Sequence, residues 1–84
     1  MIRALLTTFL IELPPGGSSA PAHHIYEEVI YVLSGHGSTT VETLDGRTHS
    51  FEWGPKSLFA LPLNARYRHF NGSGREPARL AADR

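Results

Sequence analysis

Cysteine is absent from the 84 residues, so neither disulfides nor thiolate chemistry is available. A reducing compartment tolerates such a chain, and the expected location is the cytoplasm. An excess of one charge is absent as well, because eight Lys and Arg balance eight Asp and Glu. Nucleic acid and anionic membrane both reward a basic surface, so neither is expected as a partner. No apolar run approaches the roughly 18–20 residues of a membrane span. The opening MIRALLTTFLIEL is interrupted by Thr7, Thr8 and Glu12, and no small-residue cleavage site precedes Pro14-Pro15-Gly16-Gly17. It reads as a first strand rather than a leader. Helical periodicity with caps is also missing, and only residues 78–84 leave the choice open.

What remains is a globular composition, 40% hydrophobic and 19% charged. The length fits one domain over residues 1–84. A chain this short buries only about 60–65% of its unfolded surface, so a closed barrel or a partner subunit would help it stay folded. Strand-like runs recur at residues 5–13, 26–34, 38–44, 47–53, 57–61, 67–71 and 77–82. The breaks between them carry turn residues: Pro14-Pro15-Gly16-Gly17, Gly35, Asp45-Gly46, Gly54-Pro55, Pro62 and Gly72-Ser73-Gly74. Short strands at even spacing predict an all-β sandwich or barrel of antiparallel strands. Asp45-Gly46 is the signature of a two-residue hairpin loop. Three of the eight basic residues, Arg75, Arg79 and Arg84, fall in the last ten positions and read as a solvated tail.

The chemistry concentrates in HHIYEEVIYVLSGHG, residues 23–37. Histidine and glutamate are side chains that hold first-row divalent metals. Alternate residues of a strand share a face. Ala22, His24, Tyr26, Glu28, Ile30 and Val32 therefore point one way, and His23, Glu27, Val29 and Tyr31 the other. In the later run Tyr67, His69 and Asn71 share a face. A glutamate on an otherwise apolar face is costly without a partner, which argues that Glu28 has one. His36 and His49 read as solvent-facing, Glu27 as a surface carboxylate, and Phe51 with Trp53 as core. Asn64 near a turn reads as a residue tolerating positive φ.

Two segments carry a family resemblance. GGSSAPAHHIYEEVIYVLSG, residues 16–35, and GPKSLFALPLNARYRHFN, residues 54–71, resemble the paired signatures of the cupins, roughly G-x5-H-x-H-x3,4-E-x6-G and G-x5-P-x-G-x2-H-x3-N. The resemblance implies a small cupin-like β-barrel, a double-stranded β-helix or jelly roll. With Gly35 closing the first signature, Glu28 and His24 fall on two metal-ligand positions, while Ala22 occupies the position of the first histidine. In the second, Pro62 and Asn71 match, Asn64 replaces the glycine, and Tyr67 stands where the last ligand histidine belongs.

Three states of the interior stay open at this point. One is a reduced metal site for Mn, Fe, Ni or Zn, with His24 and Glu28 joined by Tyr67 or His69 and completed by water or substrate. Another is a metal-free pocket in which His24, Glu28 and Tyr67 hydrogen-bond a small organic molecule, with Glu28 or His24 as base and Tyr67 as acid. The third is a packed core in which these groups satisfy one another. The side chains available to line a cavity are Ile30, Val32, Phe59, Leu61 and Phe70. The corresponding functions are an oxygenase, isomerase or lyase of the cupin type, or a non-catalytic binding or assembly module. A small-molecule ligand and a homodimer are the expected partners.

Overall fold

A computed structural model describes residues 8–20, 22–23, 27–62 and 64–83. Eight strands follow in order: β1 (Phe9–Leu13), β2 (Ala22–His23), β3 (Glu28–Ser34), β4 (Gly37–Glu42), β5 (Thr48–Trp53), β6 (Leu58–Leu61), β7 (Arg66–Asn71) and β8 (Ala78–Asp83). They form two four-stranded sheets, ordered β1-β8-β3-β6 and β2-β7-β4-β5, and every pairing is antiparallel. The described residues contain no helix, and none is long and apolar enough to cross a membrane.

Period-two burial explains why these segments are strands. Along β3 the inward residues Glu28, Ile30 and Val32 alternate with exposed Val29, Tyr31 and Leu33. On β4 Thr39 and Val41 point inward, and on β8 Ala78, Leu80 and Ala82 do. Leu13, Trp53 and Leu61 complete the core between the sheets. Fully burying each leucine-sized side chain stabilises by about 1.5–3 kcal/mol. Phe51 and Phe59, one from each sheet, meet edge to face with ring centroids 4.9 Å apart.

Two expectations are corrected, while residues 78–83 form the closing strand read at 77–82: they are β8, hydrogen-bonded to both β1 and β3 inside its sheet. Their alternation of small or apolar residues with Arg79, Ala81 and Asp83 matches a strand with one buried face. Arg79 pairs with Glu12 on the surface, at 3.3 Å. The hairpin between β4 and β5 closes on Thr43 and Arg47, which leaves three residues, Leu44, Asp45 and Gly46, in the loop. Gly46 alone takes positive φ, 85°, and the amide of Gly46 donates to the Thr43 carbonyl. This is a three-residue loop with glycine in the left-handed position, rather than a two-residue turn. Phe70 lies on the outer face of β7, where the Arg68 guanidinium sits 5.4 Å from its ring centroid, so it does not line the interior.

Two residues hold the backbone at positive φ without being glycine, Asn64 at 59° and Lys56 at 71°. Lys56 follows Pro55 in a turn closed by Ser57 N–H donating to the Gly54 carbonyl at 3.0 Å. Proline then a positive φ is the pattern of a type II turn, which usually has glycine or asparagine at that place.

Asn71 ties the barrel end together. Its buried Nδ2 donates toward the carbonyls of Leu13, Pro14 and Glu76 at 3.1, 3.0 and 2.8 Å, and its Oδ1 accepts from Ser73 N–H at 2.9 Å. One side chain thus links the end of β1, the end of β7 and the loop entering β8. Asn71→Ala should orphan these carbonyls and lower unfolding stability by about 2 kcal/mol. A urea titration should show a lower midpoint at unchanged slope, and an unmoved midpoint would refute the clasp.

Candidate functional site

The interior polar groups come from both sheets. Glu28 opens β3 in one sheet, and Tyr67 and His69 lie on β7 in the other. Strand alternation aims all three inward, with Glu28 1%, Tyr67 8% and His69 1% exposed. The Tyr67 hydroxyl donates to Glu28 Oε1 at 2.8 Å, a bond that crosses from sheet to sheet. His24 and Tyr26 lie outside the described residues, so the placement of that candidate ligand is not part of this geometry. Of the other residues singled out in the sequence, His36, His49 and Glu27 are exposed, Trp53 is buried and Phe51 half-buried; His49 is exposed although it shares the parity of Phe51 and Trp53 on β5.

Three further residues complete the interior. Thr39 is cross-strand from His69, and their side chains meet, Oγ1 to Nδ1, at 2.7 Å. Trp53 Nε1–H donates to the same Thr39 oxygen at 2.8 Å. Phe59 and Tyr67 stand beside the imidazole, with ring centroids 6.3 and 5.2 Å away. Thr39 was not singled out in the sequence, and Trp53 was read only as core. A buried threonine and a tryptophan N–H each need a hydrogen-bond partner, and that requirement is the signal that could have joined them to His69.

His69 titrates far from its ordinary value of 6.5, pushed down to about 4 by burial, with the nearby Glu28 carboxylate opposing the shift. The imidazole is therefore neutral at neutral pH. Its Nε2 is buried and has no hydrogen-bond partner among the described residues.

The positions at which the cupin pattern has its first and last histidine are held here by Ala22 and Tyr67, and these two are direct cross-strand partners on β2 and β7. The two substitutions thus fall at one spot on the barrel wall. Alanine carries no donor atom. Tyr67 directs its proton at the one carboxylate beside it. Among the described residues no three His, Asp or Glu side chains gather as a metal centre needs. Of the four ligand positions of the pattern, the described residues hold Ala22, Glu28 and Tyr67.

Comparison with known proteins follows the same lines. The family model described as a cupin domain matches residues 9–82. The chain is a cupin. Acireductone dioxygenase of Bacillus mycoides is 42% identical to it over 45 residues, which is 54% of this cupin and 26% of the relative. The cupin thus spans about a quarter of the length of the curated relatives it matches. Among solved structures, the Mn(II)-containing oxalate decarboxylase of Bacillus subtilis superposes with a TM-score of 0.84 at 22% identity, over 90% of this cupin and 20% of that chain. The CENP-C cupin domain of Drosophila melanogaster superposes with a TM-score of 0.84 at 9% identity, over 92% of this cupin and 55% of that chain. Such low identities show the shared barrel alone.

The buried imidazole predicts a pH dependence of stability. The unfolded chain takes up a proton near 6.5 and the folded chain only near about 4. The contribution is therefore full above 6.5 and is lost as pH falls toward 4, with a slope approaching about 1.4 kcal/mol per pH unit. Denaturation at successive pH values should show this loss in the parent and a flatter profile in His69→Gln. Identical profiles would contradict the assignment.

Proposed function

We propose that this cupin binds a small organic molecule in its barrel interior through hydrogen bonds, with Glu28, Tyr67 and His69 as the polar groups that meet it. The observation carrying this reading is the Tyr67 hydroxyl donated to Glu28 Oε1 at the place where the cupin pattern has a metal-binding histidine. A neutral phenol is a poor ligand, and its ordinary pKa near 10 keeps its proton in place at neutral pH. A buried carboxylate next to a buried phenol is also an acid–base couple. Where a reaction accompanies binding, Glu28 takes a proton from the bound molecule and Tyr67 returns one.

A second reading has its own support. His24 and Glu28 match two ligand positions of the cupin pattern, and relatives of this chain carry the names dioxygenase and decarboxylase. In that reading a divalent Mn, Fe, Ni or Zn is held by His24 and Glu28 with Tyr67 or His69. Protein purified without chelator and then titrated with each metal separates the two. The first reading expects substoichiometric metal, no thermal stabilisation by any of the four, and binding of small oxygen-bearing organic molecules that survives chelator. Stoichiometric metal that disappears in Glu28→Ala would overturn it.

The cupin also pairs with a second copy of itself in our reading, through the outer face of the β1-β8-β3-β6 sheet. Leu10 opposes Ala81, Ala81 opposes Tyr31, and Tyr31 opposes Leu58, so one apolar row crosses all four strands. Val29 and Leu33 widen it, and these five large side chains are 39–68% exposed. The Glu12–Arg79 ion pair lies at its rim. The outer face of the other sheet is mostly polar by contrast, with Thr40, Glu42, Ser50, Glu52, Arg66 and Arg68 beside the half-buried Phe70. A self-complementary apolar face is the surface a two-fold dimer buries, about 800 Å² per partner at standard size. Sedimentation at micromolar concentration should give a dimer, and Tyr31→Lys with Leu58→Lys a folded monomer. A parent that sediments only as monomer would contradict the pairing.

A further inference from the structure

The unpartnered nitrogen of His69 deepens the binding reading, on which this inference rests, by stating what kind of molecule the interior accepts. Trp53 Nε1 is a donor only, so the 2.8 Å contact to Thr39 Oγ1 has one direction. Thr39 is fully buried, and its hydroxyl carries one proton that needs an acceptor. The acceptor within reach is His69 Nδ1, at 2.7 Å. Were Nδ1 protonated instead, Thr39 would receive two donors and its own proton would be left without a partner. Hydrogen-bond accounting therefore sends the hydroxyl proton to Nδ1 and leaves the ring proton on Nε2. That atom is buried, has no partner among the described residues, and sits on the ring edge turned away from Thr39.

We infer that the Trp53–Thr39–His69 relay fixes Nε2–H of His69 as a hydrogen-bond donor inside the barrel, and that beside the Glu28–Tyr67 pair it selects an uncharged ligand bearing a carbonyl or amide oxygen. An orphaned buried donor is destabilising, and an oxygen acceptor at hydrogen-bond distance removes that cost. The charge requirement comes from Glu28. Its carboxyl group is buried in the same interior, hydrogen-bonded by Tyr67, whose ring centroid is 5.2 Å from that of the imidazole, so a carboxylate ligand at Nε2 would bring a second acidic group into a water-poor site. A neutral carbonyl or amide oxygen satisfies the donor without that second acidic group. The aromatic rings of Phe59 and Tyr67 supply apolar walls for the rest of such a molecule. Metal ligation by Nε2 is disfavoured for the same reason, because freeing its lone pair would move the proton to Nδ1 and orphan the Thr39 hydroxyl.

The test begins with the unliganded protein. Long-range proton–nitrogen NMR on histidine-labelled protein at neutral pH should show His69 protonated on Nε2, with Nδ1 as acceptor. Thr39→Val, which keeps the shape and removes the hydroxyl, and Trp53→Phe, which removes only the indole donor, should each admit the other tautomer. Hydroxyacetone, acetamide and acetate are then titrated in parallel, with the Nε2–H resonance as readout. Hydroxyacetone or acetamide should shift it and acetate should not, and Thr39→Val should weaken the shift-inducing binding about tenfold. A proton on Nδ1 in the parent, a preference for acetate, or no response to any of the three would overturn the inference. The tautomer is read without ligand, so its failure is distinguishable from failure of the binding reading, which the chelator-resistant binding experiment decides separately.

Discussion

A carboxylate sealed between two sheets has to be answered, and the answer here is a phenol from the opposite sheet. Glu28 and Tyr67 are 39 positions apart in sequence and 2.8 Å apart in space. Burying a carboxylate without a hydrogen-bond partner would offset the gain from several buried aliphatic side chains. The bond therefore constrains how β3 and β7 face each other, and with them the two sheets they belong to. It also decides the chemistry of the interior, because the atom that replaces a ligand nitrogen of the cupin pattern carries a proton and directs it at the glutamate.

Around that bond the barrel keeps its polar groups in local networks. Thr39 collects one indole proton and gives its own to an imidazole, and Asn71 gathers three carbonyls at the barrel end. Gly35 takes φ of 92° where β3 ends, and a Cβ there would meet Ala78 Cα at 2.8 Å. The strand that leads the chain to its end is thus held against β3 by a contact that only glycine allows. The outer faces differ in kind, one mostly polar and one crossed by an apolar row, so the sheets share a core but not a role.

Much of this was legible because strands obey a two-residue period. Parity alone separated Glu28 from Glu27 and put Tyr67, His69 and Asn71 on one face. Turn residues located the strands to within a residue or two at most ends. Other features were not legible for physical reasons. β2 is two residues long, below the length at which alternation can register. The Asp45-Gly46 pair suits a two-residue turn with positive φ at both residues and also a three-residue loop in which glycine alone is left-handed, and the chain adopts the second. Phe70 was one of five side chains available to line a cavity, and it lies on the outside beside Arg68. The Trp53–Thr39–His69 relay joins three strands, and nothing in a linear sequence marks which threonine will stand opposite which histidine.

The bond between the sheets can be measured directly with a double-mutant cycle on Glu28→Leu and Tyr67→Phe, read by equilibrium unfolding. The account predicts that the two losses do not add, with a coupling energy of about 2 kcal/mol, because either change alone removes the same contact. Losses that add within about 0.5 kcal/mol would mean that the phenol and the carboxylate ignore each other, and the account of the interior would fail.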